Sequence, residues 1–180
     1  KEGTDWVGYN TDCSGAISAL EDYVSLQGKN VLILGSGGTA KAIGYGVKEK
    51  GGKLTVTYNK NKERGKILAK ELDCELAQAR DVGTRSIDVL INCSPVGMSP
   101  NITESPFLAR DFKEGMVVFD SVYNPLETRL LREAKLAGCT VIPGYELFIN
   151  QAARQFELWT GQSAPINPLR EVLLRKLATG

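Results

Sequence analysis

The sequence predicts a doubly wound α/β domain, with a mostly parallel sheet and helices on both faces. Three observations predict it. Short β-branched, largely apolar runs recur along the chain, and runs of that length suit strands buried on both faces. Helical segments alternate with them in a βαβα rhythm. A glycine-rich turn, GSGGTA, stands directly between the first such run and the helix that follows.

In chain order, Asn10-Thr11-Asp12 supply helix-capping side chains. Ile17, Leu20 and Val24 follow at helical spacing, so residues 13–26 read as a helix that Gly28 ends. VLIL, Val31 to Leu34, is the first strand. Residues 39–50 form the next helix, closed by Gly51-Gly52, and LTVTY, Leu54 to Tyr58, is the second strand. KERGKILAKEL continues as a helix, and a weaker strand includes Glu75 and Leu76. DVLINCS (Asp88 to Ser94) and MVVFDSV (Met116 to Val122) are two more strands. Pro125 is expected to open a helix running through Leu136, with proline in the first turn where its missing N–H is harmless. CTVIP is a further strand, residues 144–160 a long helix, and Leu169 to Leu177 a final one. With no internal repeat, low-complexity tract or Pro/Gly linker, the 180 residues read as one domain. Residues 1–27 are its lead-in segment and first helix, 28–160 its core and 161–180 its C-terminal helix.

Composition excludes much chemistry. The chain has no histidine, so it supplies no histidine general base, triad or metal ligand. With 22 basic and 21 acidic residues the net charge is +1, which lacks the basic excess of a nucleic-acid-binding surface. Cys13, Cys74, Cys93 and Cys139 form no CxxC pair and read as reduced thiols, so no metal site is expected. No apolar stretch approaches the roughly 20 residues of a membrane span, and KEGTDWVGYN has no apolar signal core, so a cytoplasmic protein is expected.

The strongest motif is VLILGSGGTAKA. Gly35, Gly37 and Ala40 fit G-x-G-x-x-G/A between a buried strand and a helix, the Rossmann-like signature of dinucleotide binding. Gly35 permits the tight turn, Gly37 lets backbone approach a pyrophosphate, and Ala40 lets helix and strand pack closely. Ser36, Gly38 and Thr39 complete a loop whose N–H groups face the phosphates. At the tip of the second strand an NAD site usually carries Asp or Glu. Here the segment reads Asn59, Lys60, Asn61, Lys62, Glu63 and Arg64, with no acid at the strand tip itself. Cations at a helix N-terminus oppose the helix dipole, and a 2′-phosphate there would relieve that opposition, so NADP is favoured over NAD. A solvated basic helix start is the other reading. INCSPVGM ends a strand where a cofactor ribose could lie, although Ser-Pro also simply ends strands.

These blocks, with GYNTDCSG before them and DSVYNPLETRLLREAKLAGC and GYELFINQAARQFELWTG after, resemble in order the cofactor-binding half of the shikimate dehydrogenase family. The resemblance runs from about residue 4 to residue 175. It implies an NADP-dependent oxidoreductase interconverting 3-dehydroshikimate and shikimate in aromatic amino-acid biosynthesis. It also implies roles by match. Asp12 corresponds to the catalytic aspartate that bonds a substrate hydroxyl and partners a lysine. Gln151 contacts the substrate hydroxyls, and Tyr123 lines the carboxylate end of the pocket. Gly144 and Leu147 flank the nicotinamide. Asn59, Lys60, Asn61 and Arg64 form the 2′-phosphate clamp, and Ser94 stands beside the cofactor ribose.

Three positions depart from the family pattern. Lys60 replaces the usual arginine and offers no bidentate fork, which weakens discrimination against NAD. Ser94 replaces threonine but keeps a hydroxyl. Phe148 stands where an aliphatic residue is usual and could narrow the cleft. The family's N-terminal substrate domain, with its catalytic lysine and Ser-x-Ser site, has no counterpart in these residues; the lysine nearest the Asn-Thr-Asp segment is Lys1. The chain is therefore expected to bind cofactor without full activity, either as part of a stand-alone enzyme or of a plastid-type fusion with dehydroquinate dehydratase. A dual quinate/shikimate enzyme and a non-catalytic ligand-binding module of the same ancestry are the alternative expectations. Oligomeric state is not read from the sequence.

Overall fold

The computed structural model describes residues 3–82 and 86–178. Six strands form one parallel sheet: β1 (Asn30–Leu34), β2 (Lys53–Tyr58), β3 (Glu75–Gln78), β4 (Val89–Asn92), β5 (Val117–Asp120) and β6 (Thr140–Ile142). Their order is β3-β2-β1-β4-β5-β6, and every pairing is parallel. The chain runs outward from β1 to one edge, then returns to pair β4 with β1, so the order reverses at the centre of the sheet.

Both faces of the central strands are covered, which explains their continuous apolar runs. Val31, Ile33, Val89, Ile91, Val117 and Phe119 belong to one core cluster. The alternate residues Leu32, Leu34, Leu90 and Val118 belong to the other. The first cluster lies beneath α1 (Thr11–Glu21), α2 (Gly38–Glu49) and α3 (Lys62–Glu71). The second lies against α4 (Arg129–Leu136) and the Phe107–Phe112 aromatic pair of the loop between β4 and β5. α5 (Gly144–Thr160) and α6 (Ile166–Ala178) complete the chain.

α1 is held between two helices by two glycines. A Cβ on Gly15 would lie 2.7 Å from the backbone nitrogen of Gln151 in α5. A Cβ on Gly46 in α2 would lie 2.5 Å from Ile17 Cγ1 and 2.9 Å from Cys13 Sγ. These close crossings fix where the first turn of α1, carrying Asp12, meets the sheet.

Several boundaries differ from the expectation. α1 spans Thr11–Glu21 rather than 13–26, with the Asn10 side chain accepting from Cys13 N. Pro125 does not open α4. That helix starts at Arg129, because Thr128 caps it by accepting from Leu131 N. The capping hydroxyl, rather than proline's preset φ, decides where the helix begins. α6 starts at Ile166, three residues before the expected Leu169.

Candidate functional site

Beyond the ends of β1 and β4 the reversal of strand order leaves a crevice, where open α/β sheets bind ligands. Its floor is the glycine loop. Gly35 has φ +120°, a region L side chains rarely adopt, and a Cβ on it would stand 3.0 Å from the Cys93 carbonyl oxygen. Its N–H donates to Thr57 Oγ1 at 3.2 Å. The loop is thus fastened between the ends of β2 and β4.

Gly37 is the N-cap of α2, with no side-chain cap and no acid in the first turn. The first N–H groups of this helix are therefore left for an external acceptor. A Cβ on Gly37 would meet only Arg64 Nη2 at 3.8 Å, and one on Gly38 would meet nothing within 4 Å. The loop is open on the cleft side and an anion can approach its backbone. Ser36 and Thr39 are half-buried beside it, and Ala40 is fully buried in the core.

The basic cluster stands at the mouth of this loop. Asn61 caps α3, its side-chain oxygen accepting from Arg64 N at 2.9 Å. That leaves its amide N–H groups for other partners. The Arg64 guanidinium lies over Gly37. Among the described residues Lys60, Lys62 and Arg64 form no ion pair, while Glu63 is engaged by Lys66 at 2.8 Å. That contact holds the Glu63 carboxyl below its ordinary range. Asn59 lines a cavity of about 540 Å³ with Gly35, Thr57, Ser94 and Phe107. This cavity runs between the end of β2 and the loop after β4.

A second cavity, of about 410 Å³, joins Thr39, Ser94, Ser121 and Tyr123. A third, of about 160 Å³, brings together Asp12, Tyr123, Gly144, Leu147 and Gln151, from well-separated stretches of chain. Thr39, Ser121 and Phe148 also line it. Gly144 packs directly on the Val122 carbonyl, where no side chain fits. Leu147 is buried, and Tyr123 leans on Phe148 with ring centroids 5.2 Å apart. Asp12 is held through its neighbour, since Thr11 Oγ1 accepts from Gln155 Nε2 at 3.1 Å. Lys60, Asn61 and Arg64 stand at the exposed start of α3, outside these three cavities.

A buried network under the cleft was not foreseen from the sequence. Asn92, Asp120 and Thr128 are each fully buried. Asp120 Oδ1 accepts from Asn92 Nδ2 at 2.9 Å and from Val122 N at 3.0 Å, and its Oδ2 accepts from Thr128 Oγ1 at 2.6 Å. Asn92 Oδ1 accepts from both the N–H and the hydroxyl of Ser94. Desolvation raises the Asp120 carboxyl to about 6 against these three hydrogen bonds, which lower it. Burial also pushes the neighbouring Cys93 thiol far up, so it stays neutral. The available signal was a polar residue at the last position of each of two otherwise apolar strands. Gln155 was missed too, and only the α1–α5 contact reveals its part.

Among the described residues no cluster of His, Cys, Asp or Glu could hold a metal ion, and no helix is long and apolar enough to cross a membrane.

Comparison with known proteins agrees with this geometry. The family profile for the shikimate 5′-dehydrogenase C-terminal domain matches residues 144–174, which cover α5 and most of α6. The NADP(+) shikimate dehydrogenase of Methanothermobacter thermautotrophicus is 37% identical over 179 residues, covering 94% of this chain and 63% of that protein. The bifunctional chloroplastic 3-dehydroquinate dehydratase/shikimate dehydrogenase of Arabidopsis thaliana is 39% identical over 176 residues, 88% of this chain and 29% of that one. Among solved structures, shikimate 5-dehydrogenase from Thermus thermophilus, in complex with NADP(H) and shikimate, has a TM-score of 0.85 at 33% identity, covering 93% of this chain and 63% of that one. Quinate dehydrogenase from Corynebacterium glutamicum, in complex with NAD, has a TM-score of 0.85 at 28% identity, with the same coverage. The chain spans less than two thirds of the curated relatives it matches. Along nearly all of its own length, in both sequence and fold, the chain is similar to shikimate dehydrogenases.

Proposed function

We propose that this chain is the cofactor-binding part of an NADP-dependent oxidoreductase that interconverts 3-dehydroshikimate and shikimate. The observation that carries the reading is the junction of two half-sites in one cleft. The open glycine loop under Arg64 meets a small pocket walled by Asp12, Tyr123 and Gln151. As one domain, it consists of a lead-in helix (1–27), a core (28–160) and a C-terminal helix (161–180). A cytoplasmic location goes with a stand-alone enzyme of this kind, and a plastid location with a plant-type fusion.

The residues present fit NADP. The uncapped start of α2 and the side-chain-free positions Gly37 and Gly38 accept a pyrophosphate. Ser36, Thr39 and Ala40 shape that loop. Asn59, Lys60, Asn61 and Arg64 supply charge and donors for the 2′-phosphate. Ser94 would stand beside the nicotinamide ribose, and Gly144 and Leu147 would flank the nicotinamide. When bound, the cofactor supplies the hydride. The protein's part is orientation and proton control. Asp12 accepts from a substrate hydroxyl and orients it, Gln151 adds a second contact, and Tyr123 closes the carboxylate end. The resemblance implies that the proton passes through a lysine paired with Asp12, and the absence of histidine from these residues is in keeping with that. These residues contain no segment resembling the domain that carries that lysine in the family.

The fold does not choose the substrate by itself, since a quinate dehydrogenase shares it closely. Titration of this chain with NADP and NAD, followed by a shikimate oxidation assay, tests the proposal. NADP is expected to bind more tightly than NAD, with little or no turnover. Failure to bind NADP at millimolar concentration by the folded chain would favour the non-catalytic module, and normal turnover would overturn the separation of half-sites.

A further inference from the structure

Two loops wall the cleft, the one after β4 and the one from β5 to α4, and three ties hold their ends to one carboxylate. From β4, Asn92 donates to Asp120 and accepts both Ser94 donors. From the loop after β5, Val122 N donates to it, and the next residue, Tyr123, faces the third cavity. From the start of α4, Thr128 donates its hydroxyl to Asp120 while capping the helix. Asp120 lines neither the second nor the third cavity, yet Ser94 on one wall and Tyr123 on the other are set by what it accepts.

We propose that Asp120 is a positioning residue, whose ionised carboxylate sets the spacing of the Ser94 and Tyr123 walls and thereby the affinity of the cleft for its nucleotide. The inference rests on the cofactor reading above for its ligand, and on the hydrogen bonds alone for its structural content. The ionised form accepts all three donors. A neutral carboxyl, or an amide, has one acceptor oxygen and turns a donor toward either Thr128 or Asn92. One tie must then reverse or break. The groups that face Asp120 support this assignment. β4 contributes the Cys93 thiol, which burial keeps neutral, and the Asn92 amide. α4 contributes the Thr128 hydroxyl, and α5 contributes the backbone of Gly144 against the Asp120 carbonyl. Among the described residues no cation contributes to its titration, so its charge answers to pH near its value of about 6.

The test uses wild type, Asp120→Asn, Thr128→Val and Thr128→Ser. NADP dissociation constants are measured from pH 5 to 8, and amide exchange is followed at Ser94 and Val122. The 2′-phosphate of NADP titrates with a pKa near 6 as well, so the quantity to read is the variant-to-wild-type ratio, in which the ligand's own titration cancels. At pH 8, D120N and T128V should bind NADP about tenfold more weakly, the order expected for loss of a hydrogen bond to a charged group, and T128S should be close to wild type. The D120N ratio should fall toward one at pH 5, where wild type is also neutral. Exchange at Ser94 and Val122 should quicken in D120N at pH 8. A ratio independent of pH would overturn the proposal, and so would unchanged exchange at both amides. If no variant binds NADP at any pH, the cofactor reading fails, while the exchange data still decide for or against the tie. If D120N does not fold, T128V against T128S decides by the same measurements.

Discussion

Two glycines two residues apart should separate fold from ligand. Gly35→Ala puts a Cβ 3.0 Å from the Cys93 carbonyl oxygen and 3.2 Å from its carbon, at φ +120°. Backbone atoms in two paired strands cannot swing aside, so both terms apply. The unfavourable φ contributes about 1–3 kcal/mol and the overpacking about 1–3 kcal/mol. A loss of roughly 2–6 kcal/mol lowers Tm by about 4–24 °C in a domain of this size. Gly37→Ala is the contrast. Its nearest neighbour is the mobile end of Arg64 at 3.8 Å, so the folded chain should lose within about 1 kcal/mol, the usual penalty for alanine at an N-cap. The same methyl would stand where a pyrophosphate must approach the backbone. NADP affinity of G37A should therefore fall at least about tenfold with Tm nearly unchanged. Thermal unfolding and fluorescence titration on the two variants give the comparison. G37A binding NADP like wild type would refute the cradle, and G35A melting with wild type would refute the strain argument.

Other outcomes follow from the same geometry. Arg64→Ala should weaken NADP about tenfold and leave NAD nearly unchanged, with the difference shrinking as salt rises. Isothermal titration at two ionic strengths checks this, and equal losses for the two nucleotides would count against the clamp. Gly15→Ala drives a Cβ within 2.7 Å of the Gln151 backbone nitrogen. It should destabilise the chain by about 1–3 kcal/mol in urea unfolding, because α1 and α5 must separate. The buried Asp120 carboxyl also predicts a pH slope. Its folded value of about 6 lies above the ordinary 3.8, so the folded state holds the proton more tightly. This group's contribution is most favourable below pH 4 and is lost as pH rises through 6. The rise from 3.8 to about 6 corresponds to about 3 kcal/mol. Urea midpoints for wild type should therefore fall relative to D120N between pH 4 and pH 7, and parallel curves would refute the assignment.

The sheet was legible because its signals are local. Val31 to Leu34 is apolar at every position for the reason found in the structure, since alternate residues enter separate cores. The glycine loop was legible because each glycine answers a local demand, a positive φ at Gly35 and open backbone at Gly37. The start of α4 was not, because Pro125 and Thr128 both fit a helix start and only the placement of the Thr128 hydroxyl decides between them. The meeting of Asp12 with Gln151 was legible through the family resemblance alone. Neither residue carries a distinguishing pattern, and what joins them is a glycine crossing between distant parts of the sequence, Gly15 on Gln151. The Asn92–Asp120–Thr128 network escaped because its parts lie on β4, β5 and α4 and look individually like a strand-ending polar residue or a helix cap.

That network also explains why a carboxylate is tolerated where an apolar residue would stabilise the fold more. Above pH 6 Asp120 is charged with no facing cation among the described residues, and the fold gives up about 3 kcal/mol relative to the neutral acid. Its hydrogen bonds recover only part of the desolvation, as the upward shift itself shows. A hydrophobic core at that position would remove the penalty but would also free Asn92, Val122 N and the Thr128 hydroxyl, leaving three buried donors to find new acceptors. Each of the three sits at the base of a cleft-lining loop. The stability is given up at one point so that two loops, tied through Asn92, Val122 N and Thr128, hold a single arrangement around the cleft. Stability and ligand affinity at this residue should therefore move in opposite directions with pH, a signature that separates a positioning carboxylate from an ordinary buried one.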